Sequence, residues 1–178
     1  RDMVNHGQII INEFAETEFE FLKNNLWIFT EKVDGTNIRV MWNGEDVVFS
    51  GKTDEAQIPV FLLYKLQEIF EGTAKKILLK EIFTDLTEAC LYGEGYGNKI
   101  QKSGSLYLPN GVDFVLFDVK IGEWWLKRED IEDIAQRLGI KIVPIVGEGT
   151  LEEMVEKARS EINDKIKVRN SLERDVGL

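Results

Sequence analysis

Apolar positions along the chain fall into short runs broken by Gly, Asn, Asp and Pro, with three stretches at helical spacing. Residues 8–14 (Gln-Ile-Ile-Ile-Asn-Glu-Phe) predict a strand, followed by an acidic connection through Glu20. A second strand is expected over 26–32 and a third, alternating one over 38–42. Asn43-Gly44 is a strong hairpin signal and leads back through Val47-Val48-Phe49. Pro59 opens a helical pattern carried by Val60, Leu63, Leu66, Ile69 and Phe70, with Gly72 as its stop. A second helix is expected over 75–86, where Ile77, Leu78, Ile82, Phe83 and Leu86 form its stripe. Residues 89–93 read as a buried strand. The run 112–121 is the clearest strand of all, turned by Gly122-Glu123 into Trp124-Trp125-Leu126. Strict alternation along it sets Val115, Phe117 and Val119 on one face and Phe114, Leu116 and Asp118 on the other. Residues 128–138 form an amphipathic helix ended by Gly139. A short strand is expected over 140–146, near a sheet edge because Pro144 interrupts it. Thr150-Leu151-Glu152-Glu153 is a capping box that opens a last helix to about residue 162. Repeats, low-complexity tracts and an interdomain linker are absent, so residues 1–178 are expected to form a single α+β domain with largely antiparallel sheets flanked by helices.

Composition narrows the class. At 178 residues, 43% hydrophobic and 30% charged, the chain is long enough to bury a real core and has the profile of a globular protein. No apolar run approaches the ~20 residues of a membrane span, and no basic-then-apolar leader opens the chain, so no membrane association is expected. Cys90 is the only cysteine and fits a reducing, cytoplasmic compartment. His6 is the only histidine, which removes Cys/His zinc patterns, and it is expected in a loop. The net charge of −10 argues against a protein that clamps long duplexes unaided. Much of that charge lies on the expected helices, at Glu129, Glu132, Asp133, Glu152, Glu153 and Glu156, so cations clustered at a cleft matter more than the total. Opening on Arg1-Asp2 without Met, the chain is expected to start inside a longer product.

Candidate chemistry concentrates in residues 29–37, Phe-Thr-Glu-Lys-Val-Asp-Gly-Thr-Asn. Between two strands, Asp34-Gly35 is itself sufficient for a tight polar turn with solvated side chains. Glu31, Lys32, Asp34, Thr36, Asn37 and Arg39 crowd more functional groups into this stretch than a turn requires. A lysine at a strand end becomes a nucleophile when its ammonium is destabilised, and phosphorus is a suitable electrophile for it. Two other glycine-containing segments are excluded from familiar phosphate loops. Ser50-Gly51-Lys52-Thr53 lacks the upstream glycine of a P-loop and has no apolar helix directly after it. Glu94-Gly95-Tyr96-Gly97 is not followed by the apolar-periodic helix of a dinucleotide fold. That second segment is either a bulged strand end or a place where Glu94 projects a carboxylate beside backbone that a ligand can approach.

In order, Lys32-Val33-Asp34-Gly35, Ser50-Gly51-Lys52-Thr53, Tyr92-Gly93-Glu94 and Leu116-Phe117-Asp118-Val119 resemble motifs I, Ia, III and IIIa of the covalent nucleotidyltransferases. The longer Glu-Lys-Val-Asp-Gly-Thr-Asn form is most similar to the second, phage-type class of RNA ligases. The resemblance implies the nucleotidyltransferase fold, an ATP-grasp-like ligase catalytic domain, incomplete at both ends. It implies an ATP-dependent RNA ligase using ATP and Mg²⁺ or Mn²⁺: a lysyl-AMP forms, AMP passes to an RNA 5′-phosphate, and a 3′-hydroxyl seals the strand, as in RNA repair. Lys32 would be the nucleophile, and Glu31 would lie beside the adenine through its backbone. Asn37 would help place phosphates and metal, while Lys52 occupies the motif Ia position where this group often has Arg. Glu94 would meet the ribose hydroxyls or the metal, Phe117 would stack on the purine, and Asp118, Asp34 and Arg39 would support the site. Lys99 is either a phosphate contact or a solvated loop lysine. Asp34 matches the wider superfamily better than those close relatives that have His there. A DNA ligase, a capping-type nucleotidyltransferase and a noncatalytic nucleotide- or RNA-binding module remain alternatives, and the oligomeric state is open. Motifs IV and V are not visible. Gly147-Glu148-Gly149 reads as a loop, Lys165-Ile166-Lys167 has the motif V spacing at a helix end, and the chain is expected to stop before both motifs.

Overall fold

A computed structural model describes residues 2–5, 8–14, 17–53, 56–84 and 88–161. Their contacts divide into two units, one spanning Lys32–Val143 and one combining the described residues of 1–31 with those of 144–178.

In the first unit the alternating runs assemble into a mixed sheet. Strands β4 (Thr36–Trp42), β5 (Val47–Ser50), β6 (Ala89–Gly97), β7 (Val112–Ile121) and β8 (Trp124–Trp125) pair antiparallel in the order β5-β4-β6-β7-β8. Short β9 (Lys141–Ile142) adds to β7 in parallel. The Asn43-Gly44 turn closes β4 onto β5, with Asn43 Oδ1 accepting from the backbone N–H of Glu45 at 3.0 Å and of Asp46 at 2.8 Å. One face of the sheet is the core. Ile38, Val40 and Trp42 from β4, Leu91 from β6, and Phe114, Leu116 and Val119 from β7 are buried there. They pack with Leu62, Leu66 and Phe70 of α2 (Val60–Phe70), Leu79 and Phe83 of α3 (Thr73–Phe83), and Ile131, Ile134 and Leu138 of α5 (Arg128–Leu138). Gly139 ends α5 in the left-handed conformation, φ 69°, where glycine carries no Cβ penalty. A four-residue helix, α4 (Gly104–Tyr107), follows β6 and was not legible as a periodic segment.

A bulge decides what faces where. Between β6 and β7 the register moves from Tyr92↔Asp118 to Gly93↔Leu116, leaving Phe117 as the extra residue. Val115 and Phe117 therefore join a small cluster with Val33, Tyr96 and Val143 on the face opposite the core. Val119 returns to the core beside Leu116. The expected single face for Val115, Phe117 and Val119 is corrected by that one-residue slip: the extra residue inverts the alternation beyond it. Asp118, expected to share a face with Leu116, pairs with Tyr92 on the polar side of the sheet instead.

The second unit contains the β1 (Asp2–Asn5) and β2 (Gln8–Phe14) pair, α1 (Thr17–Leu22), β3 (Trp27–Thr30), β10 (Ile145–Gly149) and a helix α6 over residues 151–161. Several expectations change here. The acidic connection contains the helix α1. The strand over 26–32 ends at Thr30, and β3 pairs with β10 rather than with β4, so Lys32-Asp34-Gly35 is not the turn of a hairpin. The single strand expected over 140–146 is two strands in two sheets, split at Val143-Pro144, where proline lacks the N–H needed to continue a ladder. Glu148-Gly149 lies on β10, paired with Ile28 and Trp27, and not in a loop. The capping box forms as expected: Glu153 accepts from the Thr150 N–H at 2.7 Å, and the Thr150 hydroxyl accepts from the Glu153 N–H at 3.3 Å. His6, Leu86, Lys165 and Lys167 lie outside the described residues. Among the described residues no helix is long and apolar enough to cross a membrane.

Gly93 tests the packing at the bulge. A Cβ there would stand 2.2 Å from Phe114 Cζ and 2.5 Å from the Val115 carbonyl oxygen. The Phe114 ring is buried and held edge-on against Phe70, with centroids 5.4 Å apart at 83°, so it has no room to yield. Gly93→Ala is expected to destabilise the protein by roughly 1–3 kcal/mol through overpacking, read as a lower urea midpoint with an unchanged slope.

Candidate functional site

Lys32 is exposed and lies in the irregular segment between Glu31 and Gly35, immediately before β4. Gly35 makes this segment possible. A Cβ on it would fall 2.3 Å from the Gly95 carbonyl oxygen and 2.8 Å from Glu94 Cγ, so only glycine lets the backbone lie this close to β6. Contact at that point joins the two halves of the site. The Glu94 carboxylate accepts a hydrogen bond from the Gly35 N–H and lies within electrostatic reach of both Lys32 and Asp34. Asn37 sits directly across from Glu94 in the β4–β6 ladder, and Val115 lies across from it on β7. From the far side, Gln101 Nε2 donates to the Gly35 carbonyl at 3.1 Å, and the Ser103 hydroxyl donates to the Asp34 carboxylate.

The polar face of the sheet extends from there. Arg39 pairs with Tyr92, and Tyr92 with Asp118, across three strands. The Arg39 guanidinium donates to the Gly51 carbonyl and the Ser50 hydroxyl, both at 2.9 Å, and so fixes the backbone just before Lys52, which is itself exposed. The next described helix after Thr53 opens only at Val60, consistent with the exclusion of a P-loop. Phe117 is half-buried against the cluster that contains Val33, the residue following Lys32.

Of the residues singled out in the sequence, Lys32, Asp34, Asn37 and Glu94 come together, with Phe117 packed beside Val33 and Arg39 leading to Lys52. Lys99, at φ 69°, lines a different pocket with Phe61, Tyr64, Lys65 and Glu68. Glu31 belongs to the other unit, where its backbone N–H donates to the Pro144 carbonyl at 3.0 Å. Gln101 and Ser103, which brace the lysine segment, receive no role from the sequence. They lie 66 and 69 residues from their partners, and a polar loop carries no periodic signal. Among the described residues no group of three or more His, Cys, Asp or Glu could hold a metal. Glu94, beside Lys32 and Asp34, could share one with a phosphate ligand, in the manner of Mg²⁺ sites built from one or two carboxylates, phosphates and water.

Two carboxyls on this face are perturbed. Burial raises the pKa of Glu94, opposed by the Lys32 charge and the Gly35 N–H and reinforced by Asp34. Burial alone raises that of Asp118. For Glu94 the sign is that ionisation costs more in the folded protein than in the unfolded chain. Wild type therefore loses stability relative to Glu94→Gln as pH rises from the unfolded carboxyl pKa through the higher folded one. Urea unfolding at pH 7.5 should show Glu94→Gln more stable than wild type, with the gap closing as pH falls below the ordinary carboxyl range. A gap that widens on acidification would reverse the assignment.

Comparison with known proteins bears on the family and the fold. No curated protein matches the chain. Among solved structures it is similar to the Naegleria gruberi RNA ligase: an apo variant superposes with a TM-score of 0.59 at 22% identity, and a variant with ATP and manganese with 0.60 at 22%. The same enzyme solved with pyrophosphate gives 0.59 at 22%. Each match covers 76% of this chain and 40% of that one, so the chain spans well under half the length of the structures it resembles. At this identity the likeness establishes the fold, the mixed α+β nucleotidyltransferase fold expected from the motifs. The family model described as RNA ligase matches residues 25–175, from β3 through all four motif segments, and the chain belongs to the RNA ligase family.

Proposed function

We propose that this chain carries the adenylyl-transfer site of an ATP-dependent RNA ligase, with Lys32 as the nucleophile. The observation that carries the reading is the approach of the Lys32–Gly35 segment to β6, which gathers Lys32, Asp34, Asn37 and Glu94 at one end of the polar sheet face. Family membership and the ATP and manganese bound to variants of the Naegleria enzyme support the choice of nucleotide.

In the first step the lone pair of Lys32 Nζ forms a bond to the α-phosphorus of ATP, the bond to the bridging oxygen breaks, and pyrophosphate leaves with that electron pair. Lys32 must give up a proton to attack. It then holds AMP as a phosphoramidate. An oxygen of an RNA 5′-phosphate next attacks the same phosphorus and displaces the lysine. Finally an RNA 3′-hydroxyl attacks the activated 5′-phosphate, and AMP departs. Little of this requires covalent help beyond Lys32; positioning and charge neutralisation do the rest. A divalent cation, when bound, neutralises phosphate charge and polarises the α-phosphorus. Glu94 would hold that cation or the ribose hydroxyls, Asn37 would orient the phosphates, and Lys52 would meet them from the segment that Arg39 anchors. Lys52 is a point charge and lacks the bidentate fork of arginine. Phe117 would stack on the adenine, with Asp118 next to it in the bulge. Asp34 would keep the lysine segment in register through Ser103. The single cysteine, Cys90, fits a cytoplasmic setting.

Label from α-labelled ATP should remain with the wild-type protein through denaturation when Mg²⁺ is present, and Lys32→Ala should abolish this without changing the urea midpoint. Nucleotide binding without any covalent label would favour the noncatalytic module, and preference for GTP would favour a capping-type enzyme. Phe117→Ala should weaken ATP binding by roughly 1–3 kcal/mol, on the scale of base–aromatic stacking, as measured by calorimetry on protein shown to be folded. Unchanged affinity would return Phe117 to a packing role.

A further inference from the structure

Farther along the same polar sheet face, beyond Glu94, lies a second pocket. Its volume is about 380 Å³, and Arg39, Met41, Cys90, Tyr92 and Lys120 supply much of its wall. Tyr92 and Cys90 precede Glu94 at successive same-face positions of β6, so the pocket's first lining residue stands about 7 Å along the strand from Glu94, at ~3.4 Å per strand residue. An aromatic wall borders it. The Tyr92 and Trp125 rings abut with centroids 5.1 Å apart at 44°, and Lys120 Nζ lies 5.8 Å from the Trp125 centroid. Trp125 is 55% exposed and Trp124, beside it on β8, is 79% exposed. Core packing does not explain two adjacent tryptophans left in water. The cations at the pocket are Arg39 and Lys120 against one acid, Glu88, while Glu123 pairs with Lys120 at 3.3 Å from an exposed position.

We propose that this wall, Trp125 and Tyr92 with Lys120, is a docking site for a single-stranded RNA nucleotide flanking the end that the ligase site activates. The base stacks on the exposed tryptophan and Lys120 meets a phosphate. Single-stranded RNA is the occupant that suits the chemistry, because unstacked bases find aromatic faces and the strand's charge finds the local cations. A long duplex suits it poorly, since the chain as a whole is at −10. Trp125, Tyr92 and Lys120 carry no role in adenylyl transfer, whereas Arg39, which also lines the pocket, anchors the segment that leads to Lys52. The proposal rests on the ligase reading for its substrate, but the binding it describes does not require ATP.

The test is a fluorescence titration of the whole protein, without ATP, with a 5′-phosphorylated oligouridylate and with the same oligomer carrying one abasic position scanned along it. Wild type should show tryptophan quenching and an affinity that falls about tenfold at one abasic position, the size expected from loss of one stacked base. Trp125→Ala should lose about tenfold on the intact oligomer and nothing further at that abasic position. Lys120→Gln should weaken binding and lower the slope of log Kd against log salt by about 0.7, the single-strand value for one phosphate contact. Both variants should still take label from α-labelled ATP at the wild-type rate. The proposal is overturned if Trp125→Ala binds RNA like wild type, if its loss is equal on intact and abasic oligomers, or if it changes only self-association, which would assign the wall to a second copy. Normal RNA docking in a protein that never forms the AMP adduct would instead count against the ligase reading and leave the docking site standing.

Discussion

The site depends on a backbone contact that leaves no space for a side chain. Gly35 lies so close to β6 that a methyl group would overlap the Gly95 carbonyl, and that proximity lets the Gly35 N–H reach the Glu94 carboxylate. That contact joins the Thr36–Gly95 pairing in holding the segment that carries Lys32 and Asp34 against the strand that carries Glu94. Gln101 and Ser103 hold the same segment from the far side, so it is clamped between a strand and the loop that follows it. A reactive lysine has to be both exposed and held in place. Here the side chain is exposed while the backbone beneath it is fixed.

The sheet does the rest of the positioning through its register. Asn37 faces Glu94 because β4 and β6 pair in that register, and Arg39, Tyr92 and Asp118 follow as the next row. The bulge at Phe117 turns a residue that strict alternation would place with Val119 toward the Val33 cluster, while Val119 goes back to the core. One face of the sheet can then be fully apolar against α2 and α5 while the other collects charge at an acceptable cost. Burial on that second face is partial, which is enough to raise the Glu94 and Asp118 carboxyls but not to strand them without water.

What the sequence makes legible is local. Asn43-Gly44 specifies its hairpin, Gly139 ends its helix, and Thr150 with Glu153 caps another, because each signal acts within a few residues of itself. The ordered motifs single out Lys32, Glu94 and Phe117, and the fold brings Lys32 and Glu94 together and packs Phe117 beside Val33. Pairing between distant segments is not legible. The strand before Lys32 reads as half of a hairpin, yet its partner is Ile145–Gly149, and apolar strands carry no label naming their neighbour. A bulge shifts register by one residue without changing composition, so the faces of Val119 and Asp118 were beyond reach. Likewise, Trp125 reads as a hairpin residue until Tyr92 is seen against it.

The central claim is that the lysine held by the Gly35 contact is the atom that receives AMP. Peptide mapping of protein incubated with ATP and Mg²⁺ tests it most directly. A single acid-labile AMP phosphoramidate on the peptide that carries Lys32 is the predicted result. AMP on Lys52, Lys99 or another lysine, or nucleotide bound with no adduct at all, would contradict it.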